Sequence, residues 1–202
     1  MLLPLKERTK KKDIFLKQVA TELFYQQGWR LTSVAEICRA AGVSRVTFYK
    51  YFPTKQDLVK CIFEEQKNNM RREFDRLLAT EADLATVIQQ ILTMQQESMT
   101  TLYSTAVLHD LNHDQDETLQ AFFRQMAQEK YLYMHYFFST LQQRKSVRDD
   151  FPVILIDVLI QKMDEMIHSS VLQQHYAGKE QQLFKDVLQL FMHGIAYQKN
   201  SA

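Results

Sequence analysis

The sequence has few of the residues that form tight turns. Its 202 residues include 4 glycines and 3 prolines, fewer than average usage supplies. Because connections between strands depend on these residues, their scarcity argues against a sheet-rich fold. Apolar residues make up 46% and charged residues 24% of the chain, which is typical of a soluble globular protein. We therefore expect an all-α protein with a buried core.

Long apolar runs are absent, and cysteines are rare. The longest apolar run, around residues 153–160, is interrupted by Asp157 and is too short to span a bilayer. Cys38 and Cys61 lie within helical patterns and cannot frame a disulfide scaffold. The N-terminal apolar stretch is too short for a signal peptide. We expect a protein of the reducing cytoplasm without a membrane partner.

The small net charge of +1 hides an asymmetry along the chain. Residues 1–80 carry 16 Lys and Arg against 9 Asp and Glu, whereas the remainder carries 9 against 15. The N-terminal part is therefore basic, and such a part often faces a polyanion. A solvated, merely basic surface is the alternative interpretation.

Helical periodicity runs through the whole chain. A first helix is predicted over about residues 9–27, and Gly28 fits the position after its end. Thr54 and Asp57 predict the start of a long fourth helix, over about residues 54–79. Further helical segments are predicted over about residues 81–100, 117–145, 152–173 and 179–198.

Two short helical patterns lie between the first and fourth helices. Ser33 and Glu36 have the spacing of a capping box at the start of the second helix, which ends near residue 41. Gly42 interrupts the pattern. Ser44 can cap a third helix that ends near Tyr51. Two short helices separated by a turn that contains glycine fit a helix-turn-helix.

The third helix has one side that suits a major groove. At about 100° per residue, this side carries Arg45, Val46, Tyr49 and Lys50. Arg45 can donate two hydrogen bonds to a guanine, and Val46 can pack on a thymine methyl group. Phe48 points the other way, into the core, while Thr47 and Tyr51 flank the stripe near the sugar-phosphate rim.

Lys55 is unusual because it lies in the first turn of the fourth helix. A cation there opposes the helix macrodipole and costs roughly 0.3–1 kcal/mol. A DNA phosphate at this helix N-terminus would reverse that effect. The alternative is a solvated lysine whose charge is turned away from the helix.

The residues 31–58 resemble the N-terminal DNA-binding domain of the TetR/AcrR family of transcriptional regulators. The stretch reads LTSVAEICRAAGVSRVTFYKYFPTKQDL. The similarity covers about residues 9–62 and includes the Ala-Gly-Val-Ser turn, the Thr-Phe-Tyr-x-Tyr-Phe block and the Lys-x-x-Leu opening of the fourth helix. The resemblance implies a helix-turn-helix domain over residues 1–53 and a larger helical domain over residues 54–202 that binds a small effector and dimerises.

The resemblance also implies roles for individual residues. Arg45, Val46 and Tyr49 would read bases. The phosphate backbone would be held mostly by Thr32 or Ser33 and by Thr47, Lys50, Tyr51 and Lys55. Ser44 is a further DNA-binding candidate. Position 46 is often glycine in the family and is valine in this sequence, a difference that concerns the operator sequence.

The C-terminal part contains more apolar surface than one helix face can bury. Segments around residues 151–172 and 183–197 are apolar over a wide arc, which favours a self-complementary interface between two copies. Two central helices of a larger monomeric core are the alternative. An aromatic stretch precedes these segments. Its side chains either belong to the core or line an effector pocket, and the pocket candidates are Phe122, Met126, Tyr133 and Phe137.

The function that these patterns favour is a ligand-responsive transcriptional regulator, most simply a repressor that binds a pseudo-palindromic operator as a homodimer and is released by a small effector. It needs no cofactor and is not an enzyme. One rival is a helical protein-protein adaptor with a vestigial helix-turn-helix. The other is a metal-dependent enzyme built on His109 and His113, whose i, i+4 spacing is compatible with a metal site; we expect solvated histidines and no metal there.

Overall fold

The computed structural model describes residues 5–80, 84–167 and 169–195. It is about 82% helical, and the described residues form no strand, which confirms the all-α prediction. The helices are α1 Leu5–Leu31, α2 Val34–Ala40, α3 Arg45–Tyr51, α4 Lys55–Ala79, α5 Leu84–Thr101, α6 Thr105–His113, α7 Glu117–Gln143, α8 Val153–Ile167, α9 Ser170–His175 and α10 Glu180–Ile195.

Most helix positions follow the sequence pattern, with two differences. Helix α6 is not predicted as a separate helix; it begins where the hydroxyl of Ser104 accepts a hydrogen bond from the backbone N–H of Val107. The segment predicted over residues 152–173 is divided into α8 and α9, and Ser169 before α9 has extended backbone angles. Helices α6 and α9 have only 9 and 6 residues, and helices this short give little periodic pattern in the sequence.

The chain divides into two compact units. Unit 1 comprises Met1–Asn69 and Glu97–Gln125, and unit 2 comprises Met70–Gln96 and Met126–Ala202. Unit 1 therefore contains α1 to α3, much of α4, and α6. The sequence predicts two domains that are each continuous in the chain, with a boundary at residue 53. This boundary differs from the division into units and stays a prediction.

Each unit has its own apolar core. In unit 1 the largest fully buried side chains come mainly from α1 to α4 and include Phe24, Trp29, Ile37, Phe48 and Phe63. In unit 2 the core is formed by α4, α5, α7, α8 and α10, with Phe74, Leu77, Phe137, Phe138, Ile156 and Ile160 among its buried members. The core of unit 1 fixes the positions of the two short helices.

Candidate nucleic-acid interface

The start of α2 is fixed by a reciprocal pair of hydrogen bonds. The backbone N–H of Glu36 donates to the Ser33 hydroxyl (3.2 Å), and the backbone N–H of Ser33 donates to the Glu36 carboxylate (2.7 Å). This second bond lowers the pKa of Glu36 below its ordinary value. The predicted capping box is therefore confirmed, and it fixes where the helix-turn-helix begins.

The start of α3 is capped in a similar way. The Ser44 hydroxyl accepts a hydrogen bond from the backbone N–H of Thr47 (3.1 Å), and the hydroxyl groups of the two residues lie 3.0 Å apart. Gly42, in the turn before this cap, has φ +62°, a left-handed angle that glycine adopts readily. The turn and the cap together set the direction of α3.

One buried ring anchors α3 to unit 1. Phe48 is fully buried, and its ring contacts those of Tyr49 and Phe52, with centroids 5.3 Å and 5.9 Å apart. The opposite side of the helix is exposed and carries Arg45, Val46, Tyr49 and Lys50. The arrangement of these four residues on one exposed face is as the sequence predicts.

The predicted flanking residues have mixed exposure. Thr47 and Tyr51 are half-buried beside the exposed face, and the capping residues Ser33 and Ser44 are both exposed at the helix starts. Thr32 differs because it is only 1% exposed. Its hydroxyl donates to the carbonyl of Gly28 (2.6 Å), so it stabilises the turn between α1 and α2. The contact between Thr32 and a DNA phosphate stays a prediction, because the Thr32 hydroxyl already donates its hydrogen bond within the fold.

Lys55 points toward backbone carbonyls at the end of α1. Its ammonium group donates to the carbonyl oxygens of Trp29 (2.6 Å) and Thr32 (3.0 Å). Cations are favourable at a helix C-terminus, so this contact compensates for the position of Lys55 in the first turn of α4. Burial lowers the pKa of Lys55, while the carboxylates of Asp114 and Asp110 oppose that effect. The predicted phosphate contact of Lys55 would have to compete with these bonds.

Helix α1 is kinked at Gly28, and the chain after the kink is held from α6 by a buried carboxylate. Gly28 has φ +80° and ψ 162°, a conformation that is essentially limited to glycine. This geometry leaves the backbone N–H of Arg30 free to donate to Asp110, which is 4% exposed. A Cβ atom at position 28 would lie 2.3 Å from the Asp110 carboxylate. Sequence reasoning assigns Asp110 no structural role, because no local pattern links it to a residue 80 positions earlier.

The connection between α6 and α7 adds two further contacts within unit 1. The indole N–H of Trp29 donates to the carboxylate of Asp114, and the side-chain amide of Gln56 donates to that of Asp116 (2.9 Å). The Trp29 ring also packs against Phe123 of α7, with centroids 5.7 Å apart. Residues 110–116 therefore hold the end of α1 and the start of α4 together.

Comparison with known proteins agrees with this geometry. Residues 17–62 match the sequence profile described as bacterial regulatory proteins, tetR family. The N-terminal part of the chain is therefore similar to the TetR family over these residues. The matched residues include α2, α3 and the start of α4.

Individual TetR-family proteins show how far the similarity extends. The transcriptional regulator AcrR of Shigella flexneri is 38% identical over 84 residues, which cover 41% of this chain and 39% of AcrR. A TetR-family regulator from Agrobacterium tumefaciens has a similar structure, with a TM-score of 0.72 at 13% identity over 94% of this chain and 100% of that one. FadR of Bacillus subtilis, solved with stearoyl-CoA, has a TM-score of 0.68 at 16% identity over 90% and 98% of the two chains. The sequence match thus spans less than half of AcrR, and the structural matches establish the fold.

The four candidate pocket residues are divided between the two units. Phe122 belongs to unit 1, whereas Met126, Tyr133 and Phe137 belong to unit 2. Phe137 is fully buried in the core, and the Tyr133 hydroxyl donates to Asp75 (2.6 Å). A cavity of about 520 Å³ is present in unit 1, lined by residues that include Ile14, Thr21, Tyr25, Ile62, Gln66 and Leu102. The effector role of the four candidates stays a prediction.

The histidine pair on α6 is the basis of the rival metal-enzyme hypothesis. The rings of His109 and His113 stack with centroids 4.3 Å apart, and Nδ1 of His113 lies 2.9 Å from the carbonyl oxygen of His109. Within the described ranges, no group of three or more His, Cys, Asp or Glu side chains could hold a metal ion. No helix within those ranges is long and apolar enough to cross a membrane.

Proposed function

We propose that this protein is a transcriptional regulator that binds double-stranded operator DNA and acts as a repressor. The observation that carries the proposal is the exposed face of α3, formed by Arg45, Val46, Tyr49 and Lys50 and anchored from behind by Phe48. A short helix with this construction can enter a major groove without disturbing the core. The match of residues 17–62 to a family of bacterial regulators supports the same interpretation.

The side chains of this face divide into two chemical groups. Arg45 can form paired hydrogen bonds with O6 and N7 of guanine, and Val46 and Tyr49 provide apolar contacts to base edges. Lys50, together with Thr47 and Tyr51 at the edges, is suited to phosphate oxygens. The N-terminal 80 residues have a net charge of +7, which supports sequence-independent attraction to DNA.

The proposed active form is a homodimer. On α8, Ile156 and Ile160 are buried, but Ile154, Leu155, Val158 and Leu159 are each more than a third exposed, as is Leu190 on α10. A second copy of the chain would cover this apolar surface through a two-fold interface. Two recognition helices would then lie in successive major grooves, roughly 34–36 Å apart, on a pseudo-palindromic site.

The dimer is tested by Leu155→Asp, which introduces a charge into the proposed interface. Light scattering is expected to give a dimer for the wild type and a monomer for this variant. Leu132→Asp, at an exposed leucine on α7, is the matched control and should stay dimeric. A monomeric wild type, or dissociation of both variants alike, would refute this interface.

The proposed signal is a small effector that releases the protein from DNA. An effector that binds a non-DNA-competent state more tightly shifts the population toward it, with a coupling free energy of about 1–3 kcal/mol. FadR of Bacillus subtilis was solved with stearoyl-CoA, so long-chain acyl-CoA is a reasonable first probe. Addition of stearoyl-CoA to the protein-DNA complex, with free coenzyme A as control, shows whether this class releases DNA.

DNA binding itself is tested with fragments of genomic DNA from the source organism at several salt concentrations. The proposal predicts that some fragments are retained on a filter and that their affinity falls steeply as salt rises, because bound phosphates release counterions. A helical adaptor would show weak retention with no preference between fragments and no such dependence. That result would refute the DNA-binding regulator and favour the protein-protein adaptor.

A further inference from the structure

Val46 occupies a position where an apolar side chain has no structural partner. Its side chain is 81% exposed, and no other large apolar side chain among the described residues is more exposed. The core below α3 is already filled by Phe48, which is fully buried. Val46 therefore does not stabilise the unit by packing, and its apolar group is available to a binding partner.

The neighbours of Val46 indicate the chemistry of that partner. Arg45 and Lys50 are exposed on the same face. Two cations beside an apolar group are complementary to a partner surface that is negatively charged and also carries apolar groups. Tyr49, three residues further along, is 51% exposed, and its ring rests edge-on against Phe48 with centroids 5.3 Å apart. Residues three apart lie side by side on a helix, so Val46 and Tyr49 form a small apolar strip between the cations.

The valine side chain restricts what this strip can read. It has no hydrogen-bonding group, so it cannot distinguish bases by their donors and acceptors. It is also branched at Cβ and holds one preferred rotamer in a helix, so it presents a rigid apolar surface. In the major groove, the apolar group that differs between bases is the methyl group on C5 of thymine. A cytosine methylated at C5 would present the same group at the same position.

From this arrangement we infer that Val46 is a specificity-determining residue that reads a pyrimidine C5-methyl group in the major groove. The inference rests on the proposed DNA-binding function and adds the chemical group that is recognised. Removing one buried methyl group costs about 0.8 kcal/mol, so each such contact contributes about a fourfold difference in affinity. The contact discriminates thymine from uracil, a distinction that hydrogen bonds in the major groove do not make.

The test begins with a duplex selected from a randomised oligonucleotide library by the full-length protein. Each thymine in that duplex is then replaced by uracil, one position at a time. The wild type is expected to lose about fourfold in affinity at one or more thymines of each half-site. Val46→Ala, which lacks both γ-methyl groups, is expected to show a clearly smaller difference between the thymine and uracil duplexes at those positions. Val171→Ala, at a valine on α9 that is 72% exposed, is the matched control and should behave as the wild type.

A second set of duplexes identifies the source of the methyl group. At the responsive position, the thymine-adenine pair is replaced by cytosine-guanine, with and without a 5-methyl group on the cytosine. The wild type should prefer the methylated duplex by a similar factor, and Val46→Ala should show a clearly smaller preference. A preference for thymine over uracil without a preference for 5-methylcytosine would limit the inference to thymine and overturn its extension to methylated DNA.

Failure of this inference can be distinguished from failure of the proposed function. If the library gives no duplex with salt-dependent affinity, DNA binding itself is refuted. Recognition of a C5-methyl group by Val46 is then refuted as well. If a duplex is selected but no thymine-to-uracil change depends on Val46, the regulator remains and the role of Val46 is refuted. The same thermal unfolding midpoint for Val46→Ala and wild type would show that the variant is folded, as expected for an exposed side chain.

Discussion

The carboxylate of Asp110 on α6 accepts a hydrogen bond from the backbone N–H of Arg30, with 2.9 Å between Oδ2 and N. The two residues are 80 positions apart in the chain and belong to the same compact unit. Asp110 is nearly inaccessible to solvent, so this bond provides a hydrogen-bond donor for a buried carboxylate. The contact depends on Gly28, whose conformation allows the carboxylate to approach.

The first prediction concerns that glycine. Gly28→Ala would place a side chain in a backbone conformation that is essentially limited to glycine and 2.3 Å from Asp110. We expect the free energy of unfolding to fall by about 2–4 kcal/mol. The measurement is denaturant unfolding followed by the fluorescence of Trp29, the single tryptophan of the sequence.

Gly42→Ala is the matched control for this experiment. Gly42 also has a positive φ, but a Cβ atom there would meet nothing within 4 Å. Gly42→Ala should therefore lower the free energy of unfolding only by the strain of a left-handed backbone, about 1–2 kcal/mol. Equal losses for the two variants would mean that the approach of Asp110 contributes nothing.

The second prediction separates two roles for a lysine. Lys55 donates to the carbonyl oxygens of Trp29 and Thr32, whereas Lys50 is exposed on α3. Lys55→Ala should lower the free energy of unfolding by about 1–3 kcal/mol because it removes charge-assisted hydrogen bonds. Lys50→Ala should change stability by less than about 0.5 kcal/mol but reduce the salt dependence of DNA binding by about one phosphate contact.

Both variants are measured by chemical unfolding and by DNA binding at several salt concentrations. If Lys55→Ala were as stable as the wild type and flattened the salt dependence as Lys50→Ala does, Lys55 would be a phosphate ligand. The hydrogen bonds to α1 would then have little energetic importance.

The third prediction concerns alkaline pH. Tyr103 lies between α5 and α6 against the ring of Phe63, and burial raises the pKa of Tyr103 to about 12 from 10.0. Between these values the unfolded chain loses the phenol proton while the folded chain keeps it, so the free energy of unfolding falls as pH rises. The contribution is fully present below pH 10 and is lost progressively up to about pH 12, by about 3 kcal/mol in all.

Denaturant unfolding at a series of pH values between about 8 and about 11.5 measures this loss. Tyr103→Phe cannot ionise and should show a shallower decline than the wild type. Tyr25→Phe, at an exposed tyrosine of α1, should keep the wild-type decline. The same alkaline decline in Tyr103→Phe and wild type would contradict the assignment.

The local parts of the site are predictable from the sequence, and the long-range parts are not. The caps at Ser33 and Ser44 and the exposed face of α3 follow from short spacings, because a helix start and a helix face are decided within a few residues. The partners of Lys55 and Asp110 depend on how distant helices pack, which periodicity does not encode. For Lys55, the unfavourable position in a first turn is a visible signal, but it does not show which acceptor compensates for it.

The most direct test of base reading by α3 is the affinity of Arg45→Ala for the selected duplex and for a duplex of random sequence at fixed salt. If the exposed face of α3 reads bases, the variant should lose about 1–3 kcal/mol on the selected duplex, relax its preference at one base position, and bind the random duplex almost as the wild type does. If both duplexes lose affinity by the same factor, or neither does, α3 does not read DNA sequence and the proposed mode of operator recognition is contradicted.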